Sequence, residues 1–212
     1  VTGTTDSTAA VIATGARNAG EAVTALGSTL VLKLLGPEPI ARPELGVYSH
    51  RLGDLWLIGG ASNSGGAAIA PYFSAARIAE LSAEMEPDLP SGLDYYPLPR
   101  PGERFPLDDP DFPPRMTPRP ADDRVFLQGL FEGIARIERK GYALLQDLGA
   151  PRLRRVIGIG GGAANPAWRR IRERILGVPV EVASIREAAF GAAELARRGA
   201  VQPASSRSRK PD

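Results

Sequence analysis

The sequence predicts an α/β fold: a mixed sheet flanked by helices, with a long proline-rich excursion on its surface. Three features predict it. Apolar, strand-like runs come first and give way to alternating helix and strand patterns. The ends of those runs carry turns of Gly, Ser and Thr. Eleven of the twenty prolines fall between Glu86 and Ala121, a density that excludes a helix or regular sheet there. At 212 residues, 43% of them hydrophobic, the chain is long enough to bury one sizeable core.

The first block, "TTDSTAAVIATGA", reads as a turn and a helix. The apolar run over residues 21–35 reads as strand, and "LGVYSHRLG" and "LWLIGG" read as two more, joined near Gly53 and Asp54 as a hairpin would be. Three strands in succession suggest a meander. A helical pattern follows from about Ala67 to Met85, with Ile69, Phe73, Ile78 and Leu81 near helical spacing. Residues 86–121 are too rich in Tyr, Phe and Leu for a free linker, so an ordered excursion covering the domain edge is expected.

A long helix should begin near Asp122 or Asp123, bury a stripe of Phe126, Leu130, Ile134, Ile137 and Leu144, and end at Gly149 and Pro151. The final unit reads as a strand over 155–159, a glycine turn, a helix over 167–176, a strand over 178–182 and a helix over 185–198. Within it "RRIRER", residues 169–174, reads as a solvated helix face whose Trp168, Ile171 and Ile175 turn inward.

Composition narrows the function. There is no cysteine, which excludes disulfides and thiolate metal sites, and the single histidine, His50, cannot make a zinc site alone; an edge-strand or surface role is expected for it. No apolar run approaches the roughly 20 residues that span a bilayer. The pI near 9.1 suggests nucleic acid. However, the stretch from Arg197 onward holds five basic residues and one acid of the chain's 26 and 24, leaving 21 basic against 23 acidic. The basic character belongs mostly to this C-terminal stretch, of which 200–212 is expected to be a disordered tail, so neither a nucleic acid nor a membrane is an expected partner.

No P-loop motif occurs. Gly158, Gly160 and Ala163 spell G-x-G-x-x-A, with Glu181 where a ribose-binding acid would lie. Taken alone, that turn leaves open a dinucleotide fold, another nucleotide enzyme, or a glycine turn that only packs a helix on a sheet. Four small-residue turns, "TGTTDST", "LGST", "GGASNSGG" and "GIGGGAAN", are more informative together, because small residues let a ligand approach the backbone and turn N–H groups favour phosphate. Asp6 is the one carboxylate inside such a turn. It reads either as a helix N-cap or as a general base toward a substrate hydroxyl.

In this order, "GTTDSTAAVIATG", "LGSTLVLKLL", "GGASNSGG" and "GGGAANPAWRRIRERILGVPV" resemble the C-terminal domain of the FGGY carbohydrate kinases over residues 1–199. "LGVYSHRLGD" and residues 91–106 are similar to the D-ribulose kinase, xylulose kinase-like, branch. The resemblance implies an actin-like, ribonuclease H-like ATPase domain that phosphorylates a ketopentose such as D-ribulose with ATP and Mg2+. It also implies a cytoplasmic protein, a homodimer when intact, and an N-terminal sugar-binding domain beyond this chain, without which turnover is not expected. Asp6 would be the base, Gly27, Ser28 and Thr29 would meet the phosphates, and Gly161, Gly162, Ala163 and Asn165 would surround adenosine. Gly60 and Ser64 would border the nucleotide. An NAD-dependent oxidoreductase built on residues 158–163 and a non-catalytic actin-like ATP-binding module are the rival readings.

Overall fold

The computed structural model describes residues 6–184, 189, 191–193 and 196–197. They fall into two compact units, one formed by the two ends of the chain (1–15 and 185–212) and one by residues 16–184. In the first unit, α1 (Asp6–Ala13) is the helix expected after the opening turn. A methyl group at Gly191 would lie 1.9 Å from the Ala9 carbonyl oxygen, so the backbone at residue 191 lies against α1. The tail at 200–212 lies outside the described residues. So does most of the helix expected over 185–198, of which residues 189, 191–193 and 196–197 are helical.

The second unit is built on a six-stranded mixed sheet in the order β3-β4-β2-β1-β5-β6. The strands are β1 (Glu21–Leu26), β2 (Leu30–Gly36), β3 (Tyr48–Leu52), β4 (Leu55–Ser62), β5 (Arg155–Ile159) and β6 (Val180–Val182). β1, β5 and β6 run parallel, whereas β1–β2, β2–β4 and β4–β3 are antiparallel. The single apolar run at 21–35 is therefore two strands folded back at Gly27-Ser28-Thr29. Both are buried along nearly their whole length, so no polar alternation marks the break. The meander is also incomplete, since β3 pairs outside β4 and not with β2. His50 lies on that edge strand as expected, its ring edge-on to Tyr48 at 5.3 Å. Burial and the nearby Lys33 ammonium lower its pKa.

The helix expected from Ala67 to Met85 shortens to α2 (Ala75–Ala83), capped by Ser74, whose hydroxyl accepts the Arg77 N–H at 3.2 Å. The chain before it forms only a 3-10 turn at Gly66–Ala68, because Pro71 donates no N–H and restricts the residue ahead of it. α3 (Asp123–Asp147) is as expected, with Asp122 capping its start and Gly149, at φ 101°, following its end. α4 (Pro166–Leu176) begins under the Asn165 cap with Pro166 in its first turn, and Gly177 ends it at φ 69°.

Residues 86–121 form no helix and no named strand, as the prolines require. They are nevertheless more than a surface cover, since Tyr95, Tyr96, Leu98 and Phe105 all belong to the hydrophobic core. α3 makes room for them. Methyl groups at Gly129, Gly133 and Gly141 would strike Leu93, Pro97 and Phe105 at 2.7, 2.6 and 2.7 Å. Glycine inside a helix costs about 1 kcal/mol relative to alanine, and here three of them, at spacings of four and eight, form a groove into which the segment packs.

The face of the sheet bearing Ala22, Leu30, Leu32, Leu34 and Val156 shares its core with α3 and α4. Thr24 sits on the same face of β1 and anchors a polar chain through it. The Thr24 hydroxyl donates to Glu138 at 2.6 Å and accepts from the Tyr142 hydroxyl at 2.7 Å. Arg172 donates from Nε and Nη2 to the two Glu138 oxygens, both at 2.7 Å. Arg172 and Glu138 are 1% and 0% exposed, so the expected solvated face at 169–174 is corrected at its fourth residue. The opposite side of β2 carries Lys33, whose burial lowers its ammonium pKa to about 8 and whose Nζ lies 4.0 Å from the centre of the Tyr48 ring.

A buried ion pair that loses one member leaves an uncompensated charge, which costs about 3–5 kcal/mol. Urea denaturation of Glu138→Ala should show a loss of that size, whereas Glu138→Met combined with Arg172→Met should recover most of it. A single-variant loss below about 1 kcal/mol would contradict the role given to the pair.

Candidate functional site

Three of the four small-residue turns meet at one end of the sheet. The first is the β1–β2 hairpin turn, Gly27-Ser28-Thr29, closed by Gly27 N–H donating to the Thr29 carbonyl at 3.2 Å. The second follows β4: Gly66 and Ala67 donate their N–H groups to the carbonyls of Gly27 and Ser28 at 2.8 and 3.1 Å. Gly65 must be glycine on two counts, having φ 142° and a Cβ position 2.8 Å from the Ser28 carbonyl oxygen. The third turn follows β5. There Gly160, at φ 86°, approaches β1 so closely that a methyl would lie 2.6 Å from the Leu26 carbonyl oxygen.

Beside these turns lies a cleft of about 900 Å³. One wall is the 3-10 turn and the small-residue face of α2, including Gly66, Ile69, Ala75, Ile78, Ala79 and Ser82. The other is Gly161, Gly162, Asn165 and Trp168, with Phe73, Met85 and Phe131 also lining the space. Gly161 has nothing within 4 Å of its Cβ position, so its backbone is open to an approaching group. Gly162 has no such room; a methyl there would sit 2.6 Å from the Trp168 ring, which itself stacks on Phe131 at 4.4 Å with the planes 5° apart. Asn165 joins the walls. Its Oδ1 accepts the Trp168 N–H at 3.0 Å, and its Nδ2 donates to Ser82 Oγ at 2.7 Å.

Of the residues expected to surround adenosine, Gly161, Gly162 and Asn165 line the cleft. Ala163 is buried behind it, its Cβ 3.0 Å from the Cβ position of Gly158. Gly27, Ser28 and Thr29 form the hairpin turn against the 65–67 segment. Gly60 and Ser64 stand elsewhere: a methyl at Gly60 would lie 2.4 Å from the Phe105 ring, and the buried Ser64 hydroxyl donates to the Pro97 carbonyl at 2.6 Å. Both hold the proline-rich segment, and neither is among the residues lining the cleft. Asp6 begins α1 in the other unit, and its side chain lies outside the described residues.

Sequence reasoning missed most of the α2 wall. Its small residues at 75, 79, 82 and 83 carry the helical spacing that also marks a core face, and nothing in the spacing separates a core from a cleft. It missed Glu103 too. This buried carboxylate accepts from Ser62 Oγ, Asn63 N and the Tyr96 hydroxyl at 2.6, 2.7 and 3.0 Å, holding the approach to the second turn.

The dinucleotide reading fails on topology. β5 is an interior strand reached after four others, and three of the five strand pairings are antiparallel, whereas a dinucleotide fold opens with its fingerprint strand. Glu181 instead pairs with Arg155 at 3.0 Å. Among the described residues no group of three His, Cys, Asp or Glu could hold a metal ion, and no helix is long and apolar enough to cross a membrane.

Residues 22–200 match the FGGY family of carbohydrate kinases, C-terminal domain. Among solved structures the chain is similar to a xylulose kinase from Brucella ovis, with 27% identity and a TM-score of 0.75, covering 90% of this chain and 41% of that one. A xylulose kinase from Rhodospirillum rubrum shares the fold at 22% identity and a TM-score of 0.72, covering 93% and 42%. A glycerol kinase from Plasmodium falciparum with ADP does so at 18% and 0.70, covering 90% and 40%. The chain thus spans about two fifths of the length of each of these proteins.

The packing of the third turn is testable without any ligand. Gly162→Ala should displace the Trp168 ring from Phe131, shift the tryptophan emission and cost about 1–3 kcal/mol in urea denaturation followed by fluorescence. An unchanged spectrum and midpoint would contradict the contact.

Proposed function

The chain belongs to the FGGY family of carbohydrate kinases, and from that premise we propose that it is the nucleotide-binding part of an ATP-dependent sugar kinase acting on a ketopentose, D-ribulose foremost. The observation that carries this reading is the meeting of the Gly27–Thr29 turn, the Gly65-Gly66 turn and the Gly160–Gly162 turn beside an apolar cleft of about 900 Å³. An apolar hollow suits a base, and adjoining small-residue turns suit phosphates.

In this reading Gly161, Gly162 and Asn165 form one wall of the nucleoside site, and the turn at Gly27, Ser28 and Thr29 meets the phosphates. Bound ATP supplies the transferable phosphoryl group. Mg2+ usually keeps several waters and is held by substrate phosphates with one or two carboxylates, so in this reading it would enter with the nucleotide. Asp6 takes the proton of the sugar hydroxyl as general base. Transfer also requires in-line positioning and exclusion of water, which half a cleft supplies poorly. The chain spans about two fifths of the solved kinases it resembles, in keeping with a second domain that closes over the sugar. Alone, the chain is expected to bind nucleotide weakly and not to turn over.

The experiment is a coupled ADP-release assay on the intact protein with ribulose, xylulose, ribitol and glycerol, repeated with Asp6→Asn. Ribulose should be the preferred acceptor, and the variant should lose about 10²- to 10⁴-fold in kcat with nucleotide affinity retained. Preference for glycerol would overturn the acceptor class, and near-normal turnover by the variant would remove Asp6 from the role.

A further inference from the structure

The basic side chains of this sequence are nearly all arginines: of 26, only Lys33, Lys140 and Lys210 are lysines. Lys140 is exposed on α3, whereas Lys33 is 5% exposed in the middle of β2. An arginine stays charged at any working pH; a desolvated lysine does not, and its free amine is a nucleophile. Lys33 Nζ makes no hydrogen bond, and no carboxylate offsets its burial. The amine is separate from the cleft, whose lining includes neither Lys33 nor any residue of β3.

Strand register explains where the amine goes. Lys33 pairs with Val23 on one side and Gly59 on the other, and Gly59 pairs in turn with Tyr48. Gly59 has no room for a side chain, since a methyl there would lie 1.8 Å from the Leu32 carbonyl oxygen. The Lys33 stem therefore crosses that gap and brings Nζ to 4.0 Å from the centre of the Tyr48 ring. Tyr48 is 38% exposed and belongs to the edge strand, so the ring over the amine is itself at the surface, on a strand that opens locally at less cost than an inner one. His50 is the other titratable group beside it; burial and the Lys33 charge lower its pKa, so it supplies no negative charge. Burial lowers the Lys33 pKa to about 8. At pH 7 roughly one molecule in ten then carries the free amine, against fewer than about one in a thousand for an ordinary lysine.

We propose that Lys33 is an acylation site, its free amine taking a small acyl group from an activated donor, an acyl phosphate or acyl thioester, as Tyr48 turns aside to admit it. The amine lone pair attacks the acyl carbon and a C–N bond forms. The C–O bond to phosphate or the C–S bond to the thiol breaks with its electron pair, and the nitrogen sheds one proton to solvent. The product is a neutral amide, which removes both the uncompensated buried charge and its attraction to the Tyr48 ring. The test incubates the intact protein at pH 7 with acetyl phosphate and, separately, with acetyl-CoA, without any acetyltransferase, and follows each lysine by peptide mass spectrometry. Lys33 should be acetylated at least about tenfold faster than Lys140 and Lys210, and the donor that reacts identifies the source. Its rate should level off above about pH 9, where a lysine of ordinary pKa is still gaining free amine. Tyr48→Ala should quicken Lys33 further and leave Lys140 unchanged. A Lys33 rate no higher than that of Lys140 with either donor would overturn the site, and a Lys33 rate unchanged in Tyr48→Ala would overturn the part given to the ring.

Discussion

The bidentate pair between Arg172 and Glu138 is the constraint on which the rest of the second unit depends. A guanidinium and a carboxylate, both removed from water, are tolerable only in good geometry with their remaining bonding capacity largely met, and here Glu138 also receives the Thr24 hydroxyl. The three side chains belong to α4, α3 and β1. Their bonds therefore fix the height and rotation of α4 relative to the sheet. One Arg172 nitrogen has no partner and lies 3.1 Å from the Cβ position of Gly158, which keeps residue 158 small and lets β5 pass close to the pair. Because Asn165 and Trp168 sit at the start of the helix that carries Arg172, the same pair sets where one wall of the cleft stands.

A second set of buried carboxylates does the corresponding work for the proline-rich segment. Glu132 on α3 accepts from the backbone and side chain of Ser91 at 3.0 and 2.7 Å and from Arg174 of α4 at 2.6 Å. Its pKa falls below the ordinary range: burial opposes the charge, but these hydrogen bonds outweigh it. Glu103 ties the middle of the segment to Ser62 and Asn63, just ahead of the Gly65-Gly66 turn. A stretch with no regular backbone ladder is thus held by side chains reaching from α3, α4 and β4, and in return it supports one of the turns at the cleft.

Local chemistry made much of this legible. The acids at the start of α3, the glycine after it and three of the four small-residue turns are short-range signals, and the described elements place helix ends and turns where those signals fall. What was not legible depended on partners distant in sequence. Arg172 looks like any arginine in a run of charges until Glu138, 34 residues earlier, is placed against it. The hairpin inside residues 21–35 is hidden because both strands are buried on two faces, and the contacts of Gly60 with Phe105 and of Ser64 with Pro97 arise only once the proline-rich segment is in place. The core role of Tyr95 and Phe105 needed the glycine groove of α3, whose meaning emerges only once the segment lies in it.

The proposed nucleotide site requires the three turns and the cleft to act together. Amide hydrogen exchange of the intact protein, with and without ADP, tests that claim most directly because it reports on each turn separately. The account predicts slowed exchange together at residues 27–29, 65–68 and 160–165, with the wall of α2 following. Protection confined to one of these turns, or lying wholly outside them, would contradict it.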